Sequence, residues 1–165
     1  MTASIKRNPL LTEYRVIIPE EEWSLLEFQQ ESLPGVAVIN RALRSFEPKI
    51  VFAWHLSLLL NFEDLIDNGM PSQLEREIVD PFCERLNEEI RGKDKQRPNA
   101  LFLARITWNG TRELIWRVFD PELPHAYLQD LINSAPPEYP RPFDYRMDED
   151  PEWKLAQWHL SHNED

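Results

Sequence analysis

Cys83 is the only cysteine of the chain, so no disulfide can form within it. That usage suits a reducing compartment such as the cytoplasm. Glycine is scarce too. Gly35, Gly69, Gly92 and Gly110 are the full set, each at a turn or helix-stop position, and none lies in a glycine-rich phosphate loop after a strand. No apolar run is long enough for a bilayer: the longest, Val51 to Leu60, contains His55 and Ser57. Met1 to Arg7 lead into no apolar stretch, so no signal peptide is expected. Basic charge is in deficit, with 18 Lys and Arg against 29 Asp and Glu and a formal net charge of −11. Such a surface repels a phosphate backbone and attracts basic proteins, so nucleic acid is not an expected partner. Plain solubility would explain the same acidity.

What is present is enough apolar material for a core. Hydrophobic residues make up 42% and aromatic residues 11% of 165 positions, which suits one folded domain rather than a disordered chain. Residues 1–22 read as an N-terminal strand, Thr12 to Ile18, ended by Pro19 and followed by the acidic linker Glu20-Glu21-Glu22. Residues 23–160 read as a single α+β domain, and 161–165 as a frayed tail.

Trp23 to Gln30 and Val36 to Asn40 flank Leu33-Pro34-Gly35, a turn signal, and read as a hairpin; the first segment could also be a helical turn. Ile50 to Leu60 reads as a central strand buried on both faces. Asp67 to Pro71 is a turn. It leads into Ser72-Gln73-Leu74-Glu75, which has capping-box spacing, and a helix to about Arg91 with Gly92 as its stop. Leu74, Ile78, Phe82, Cys83, Leu86 and Ile90 form its expected apolar stripe. Pro81 removes an amide donor inside it, so a kink or break is expected.

Leu101 to Phe119 forms a hairpin around Asn109-Gly110. A two-residue loop pairs Ile106 with Glu113. A three-residue loop pairs Ile106 with Leu114 and gathers six apolar residues on one face, so the longer loop with a bulge is the expected register. Asp120-Pro121 opens a helix whose buried side is Leu128, Leu131 and Ile132. Phe143 to Met147 reads as a strand. Asp150-Pro151 repeats the helix-start signal, with Trp153, Ala156 and Leu160 as one stripe. The resulting class is α+β: an antiparallel sheet with helices on one face and a ferredoxin-like C-terminal part.

No constellation announces chemistry. His55 reads as a satisfied sheet histidine and His125 as an exposed one. His159 and His162 have the i, i+3 spacing of metal ligands, but at a chain end. Cys83 reads as a buried small hydrophobe. No serine sits in a nucleophile elbow. Acid–base catalysis needs a carboxylate moved into a dry pocket, and no such carboxylate stands out. The expectation is therefore a protein that is not an enzyme and uses no cofactor and no metal. Of the six tryptophans, Trp54 and Trp116 read as core, while Trp108 borders the hairpin loop. Asp148, Glu149, Asp150 and Glu152 cluster beside Trp153. Helix-dipole stabilisation explains Asp148, Glu149 and Asp150 without a partner; contact with a basic protein is the other reading.

Asn68-Gly69-Met70-Pro71, the apolar strand before it, the hairpin Leu101 to Phe119 and the closing Asp150-Pro151-Glu152-Trp153 together resemble the bacterial domain-of-unknown-function 695 family over roughly Trp23 to Leu160. Its members place a similar Asn-Gly-x-Pro turn before the long helix and an Asp-x-x-Trp near the end. That family resembles in turn the regulator of ribonuclease E activity B, an acidic protein of ferredoxin-like fold that inhibits a nuclease by binding it. The resemblance implies α+β architecture and a non-catalytic protein-binding role, and carries over no catalytic residue.

Together these readings lead to an acidic, cytoplasmic protein-binding inhibitor. Its most specific form is an immunity protein that occludes a cognate bacterial toxin, with a basic nuclease as the candidate. The expected contacts are Trp108, Asp148, Glu149, Asp150 and Glu152. No membrane and no direct nucleic-acid partner are expected. The alternatives are an enzyme with an unrecognised carboxylate–histidine pocket, or a structural subunit of an assembly.

Overall fold

The structure is a computed structural model and describes residues 14–137 and 139–161. Strands β1 (Trp23–Gln30), β2 (Leu33–Asn40), β3 (Trp54–Asn61), β4 (Ala100–Trp108), β5 (Thr111–Val118) and β6 (Phe143–Glu149) form one sheet. Its six strands lie in the order β1-β2-β4-β5-β3-β6, and every pair is antiparallel. Helix α1 (Gln73–Arg91) connects β3 to β4, and α2 (Glu122–Ser134) connects β5 to β6. The unit from β3 to β6 thus runs βαββαβ with the strand order of a ferredoxin-like sandwich, and the β1–β2 hairpin widens it at β4. A short α3 (Gln157–Ser161) closes the described chain.

Alternation along β3 explains the first core. Trp54, Leu56, Leu58 and Leu60 are buried on one face, with Leu114, Trp116 and Val118 of β5 beside them. Val79, Phe82, Cys83 and Leu86 of α1 and Leu128 and Leu131 of α2 cover that face. Each such side chain contributes about 1.5–3 kcal/mol relative to exposure. The opposite face carries a second core. Ala37, Ile39, Leu101, Leu103, Ala104 and Ile115 pack under Leu43, Phe46, Phe52 and Trp153. These covering residues come from two 3-10 turns, Arg41–Ser45 with the Phe46 that caps it and Lys49–Phe52, and from the segment before α3.

The second core explains where the expected hairpin register fails. Asn109 and Gly110, both at positive φ (47° and 75°), make a two-residue loop that pairs Trp108 with Thr111 and Ile106 with Glu113. Because both faces of β4 and β5 are buried, gathering apolar residues on one face was not the governing constraint. The bulge exists, but at Leu103, beyond which Phe102 pairs with Trp116.

Other elements shift for equally local reasons. Residues 14–18 are not a strand; Tyr14 instead packs into the second core and its hydroxyl donates to the Pro98 carbonyl (2.7 Å). Thr12 and Glu13 lie outside the described residues. The β1–β2 hairpin forms, but it turns at Glu31-Ser32, both at positive φ, and Pro34 and Gly35 belong to β2. The ladder turns the Pro34 nitrogen away from β1, and pairing with β4 begins only at Gly35. Residues Ile50 to Phe52 are a 3-10 turn, and Leu59 of β3 is exposed, so that strand is not buried on both faces along its length.

Helix α1 starts and stops as expected, with Ser72 Oγ accepting from the Glu75 amide and Gly92 at its end. It runs unbroken through Pro81. Its buried stripe is Glu75, Val79, Phe82, Cys83, Leu86 and Ile90, while Leu74 and Ile78 are exposed. Glu75 does not close a capping box. Its carboxylate takes two hydrogen bonds from Arg141 (2.9 and 2.6 Å) and one from the Glu63 amide (2.8 Å). The ion pair thus draws the first turn inward and turns Leu74 out. On α2, Asp120 accepts from the Glu122 amide as expected (3.0 Å), but Ile132 faces outward.

Candidate functional site

The second face of the sheet is closed at one end and open at the other, and one buried ion pair sets the boundary. Arg117 of β5 has its side chain fully buried. Its Nη1 donates to Asp150 Oδ2 (3.0 Å), and Nε and Nη2 donate to the Phe52 carbonyl (3.3 Å each). The guanidinium lies 4.8 Å from the Trp153 ring centroid. Burial pulls its pKa down to about 10. Burial also pushes Asp150 up, but the Leu155 amide, Arg117 and the Lys154 amide prevail and hold it below the usual carboxylate range. His55 Nδ1 stands 3.0 Å from Arg117 Nη1. Burial first, and the Arg117 charge second, lower its pKa to about 4. His55 is therefore a neutral acceptor in the interior at neutral pH.

From this anchor the chain is led to α3. Asp150 accepts from the amides of Lys154 (3.0 Å) and Leu155 (2.9 Å). Trp153 takes a left-handed backbone conformation (φ 60°), stacks on Phe46 at 5.8 Å and donates its indole N–H to the Lys49 and Phe52 carbonyls. Arg44 Nε donates to the Leu160 carbonyl (2.8 Å). Helix α3 is thus pinned on both sides, and Trp158 projects from it toward β1.

There the sheet opens into a recess of about 490 Å³, lined by Phe28, Leu59, Ile106, Trp108, Glu113, Trp158 and neighbours. Phe28, Gly35 and Trp108 are consecutive cross-strand partners on β1, β2 and β4. A side chain at Gly35 would sit 2.2 Å from Phe28 Cζ, so the missing side chain lets the Phe28 ring lie over β2. Phe28 meets Trp158 edge to face, with centroids 6.2 Å apart and planes at 83°. Trp108 is fixed by its indole N–H, which donates to the Gln30 carbonyl (3.0 Å). Glu113 is the carboxylate of the recess and takes a 2.5 Å hydrogen bond from Ser57 Oγ. Among the described residues no lysine or arginine forms an ion pair with it. A larger groove of about 710 Å³ runs past Glu88, Glu89, Arg91, Lys93 and Lys95. Its charges are mixed, three basic against two acidic, and no aromatic pair walls it, so the aromatic recess is the better-formed site.

The residues expected as contacts are not brought together. Trp108 lines the recess. Asp148 pairs across from His55, whereas Trp108 lies level with Asn61, about 20 Å along the strand direction. Asp148 and Glu149 belong to edge strand β6, not to a helix start, and Asp148 is held by Arg146 (3.0 Å). Glu152 is exposed near Lys154 (3.4 Å). Asp150 differs most from expectation. It faces inward and its oxygens are committed to Arg117, Lys154 and Leu155, so it is not a surface contact. Trp153 is likewise buried. His125 is half-buried and bonded to the Tyr145 hydroxyl (2.8 Å). Among the described residues no group of three or more His, Cys, Asp and Glu is placed to hold a metal; His162 lies outside them. No helix among them is long and apolar enough to cross a membrane.

Phe28, Ser57, Leu59 and Glu113 escaped sequence reasoning as site residues. A strict two-residue loop at Asn109-Gly110 would have set Glu113 beside Ile106. Nothing local shows that α3 folds back to β1.

The fold and recess define an α+β protein whose ferredoxin-like unit is widened by a hairpin and carries an aromatic hollow with one carboxylate. The sequence model described as a family of unknown function, DUF695, matches residues 21–158, and the chain belongs to that family. No curated protein and no solved structure matches the chain. The more distant likeness to the regulator of ribonuclease E activity B has no counterpart in these matches.

Proposed function

We propose that this chain is a non-catalytic protein-binding inhibitor that acts in the cytoplasm by covering a basic partner, in its most specific form an immunity protein against a toxin such as a nuclease. The observation that carries this reading is the recess itself: pre-positioned aromatic side chains around a carboxylate, on a molecule of net charge −11. Aromatic anchors in water-excluding hollows dominate protein interfaces, and an acidic field speeds encounter with a basic surface. Asp148, Glu149 and Glu152 add to that field along the β6 side.

The enzyme alternative draws on the same recess, where His159 also lies at the lining. His55, the other candidate base, is turned to Arg117 and held neutral, which favours a structural part for it.

The test uses the whole chain as bait in lysate of the source organism, beside the triple variant D148K/E149K/E152K. The expected result is a basic protein retained at low salt, released at high salt and weakened by the charge reversals, whose own activity falls as the chain is added. A bait that retains no protein, or a partner that stays fully active when saturated, would overturn the proposal.

A further inference from the structure

We propose that the recess between β1, β4, β5 and α3 receives the guanidinium group of an arginine side chain presented by a basic protein. The assignment rests on the protein-binding reading above and names the group that the partner inserts.

The walls favour a flat cation. Phe28 and Trp158 stand nearly perpendicular, at 83°, and so form a corner rather than a closed stack. Trp108 supplies a further wall held in place by its bond to Gln30. Trp158 is 44% exposed, so part of its ring surface faces solvent. Cations bind over indole faces through the ring quadrupole, and a guanidinium adds planar stacking.

The carboxylate selects the charge. Glu113 accepts one hydrogen bond, from Ser57, and an ionised carboxylate has capacity for several. An apolar occupant would strip water from Glu113 and return nothing, a costly exchange, and a neutral donor would return only the weaker, uncharged hydrogen bond. A carboxylate or phosphate occupant would meet Glu113 and the surrounding negative field. Lysine satisfies the charge, but its compact ammonium is strongly hydrated and does not stack. Arginine satisfies both walls and carboxylate, with two parallel N–H donors available to one acceptor group. A volume of about 490 Å³ lies in the range of small-ligand hollows and leaves room for the side chain with its methylene stem against Leu59 and Ile106.

The probe is N-acetyl-arginine methylamide. It is titrated into the full chain with the indole N–H signals of Trp108 and Trp158 followed by NMR. The comparison ligands are the lysine and citrulline analogues, citrulline being the uncharged isostere. Saturable shifts of both indoles are expected with arginine, with the citrulline analogue at least about tenfold weaker, as loss of a charge-assisted bond implies. E113Q should weaken the arginine probe about tenfold, and W158A should weaken it at unchanged indole assignment for Trp108. Binding of citrulline equal to arginine, lysine equal to arginine, or shifts confined to other tryptophans would overturn the assignment. The wild-type ligand series decides the matter even where a variant fails to fold. A chain that binds the arginine probe yet captures no protein would overturn the inhibitor reading alone. A captured partner indifferent to E113Q, with no probe binding, would overturn this assignment alone.

Discussion

Arg117 and Asp150 are 33 residues apart in sequence and meet in the interior, Nη1 to Oδ2 at 3.0 Å. The pair does two jobs. It neutralises a guanidinium inside the sheet, and it fixes the turn from which α3 departs. A stability effect and a shape effect should therefore appear together.

Replacing Asp150 with Asn should cost about 3–5 kcal/mol, because it leaves a buried charge without its counter-ion. The urea midpoint measures this. The same variant loosens the turn that Lys154 and Leu155 make on the carboxylate, so Trp158 fluorescence should shift toward that of a solvated indole. A variant with a full stability loss and an unchanged Trp158 environment would separate the two jobs and contradict the coupling.

His55 gives a pH dependence of definite sign. Its folded pKa, about 4, lies below its ordinary 6.5. Between those values the unfolded chain binds the extra proton, so folding stability rises with pH across that window and is fully present above 6.5. As pH falls through 4 the contribution is lost, at most about 3 kcal/mol in all. Asp150, also depressed, acts in the same direction at lower pH, below the ordinary carboxylate range. Urea midpoints from pH 4 to 7 should rise for the native chain and flatten over the upper part of that range for H55Q.

Gly35→Ala should lower stability only modestly and yet reshape the recess. The added methyl would meet the far end of the Phe28 side chain at 2.2 Å, and a phenyl ring can swing aside where backbone cannot. A cost near 1 kcal/mol is expected, and the displaced Phe28 ring should no longer meet Trp158 edge to face. Near-ultraviolet circular dichroism reports the aromatic change; a spectrum identical to the native one would refute it.

Cys83 is buried against the first core, and burial raises its thiol pKa. Thiolate is the reactive form, so labelling by an aromatic disulfide reagent should be slow in the native state. It should become fast across the unfolding transition, with the labelling rate tracking the urea curve. Rapid labelling without denaturant would mean that α1 lifts locally from the sheet.

Local chemistry was the legible part of this sequence. Ser72 and Gly92 mark the ends of α1 and Asp120 the start of α2, because caps act within a few residues. Asn109-Gly110 marks its turn for the same reason. Long-range pairs were not legible. Glu75 and Arg141 lie 66 residues apart, and only their meeting explains why Leu74 turns outward. Leu33-Pro34-Gly35 offers stronger turn chemistry than Glu31-Ser32, yet Gly35 serves as space for a ring and the turn is strained into the less favoured pair. Two-sided burial of β4 and β5 misdirected the register, since an apolar residue on either face is then correctly placed. For the site, Trp108 could be read from its place beside a turn. The recess could not, because it draws on four strands and on a helix returning from the far end of the chain.

Strand β6 bounds the sheet, and its outward row reads Asp144, Arg146, Asp148. A second sheet seeking to add a strand there would have to bring its own backbone alongside a line of hydrated charges. The molecule is thereby protected from growing into fibres on that border, and concentrated solutions should stay clear for longer than those of D144A/R146A/D148A.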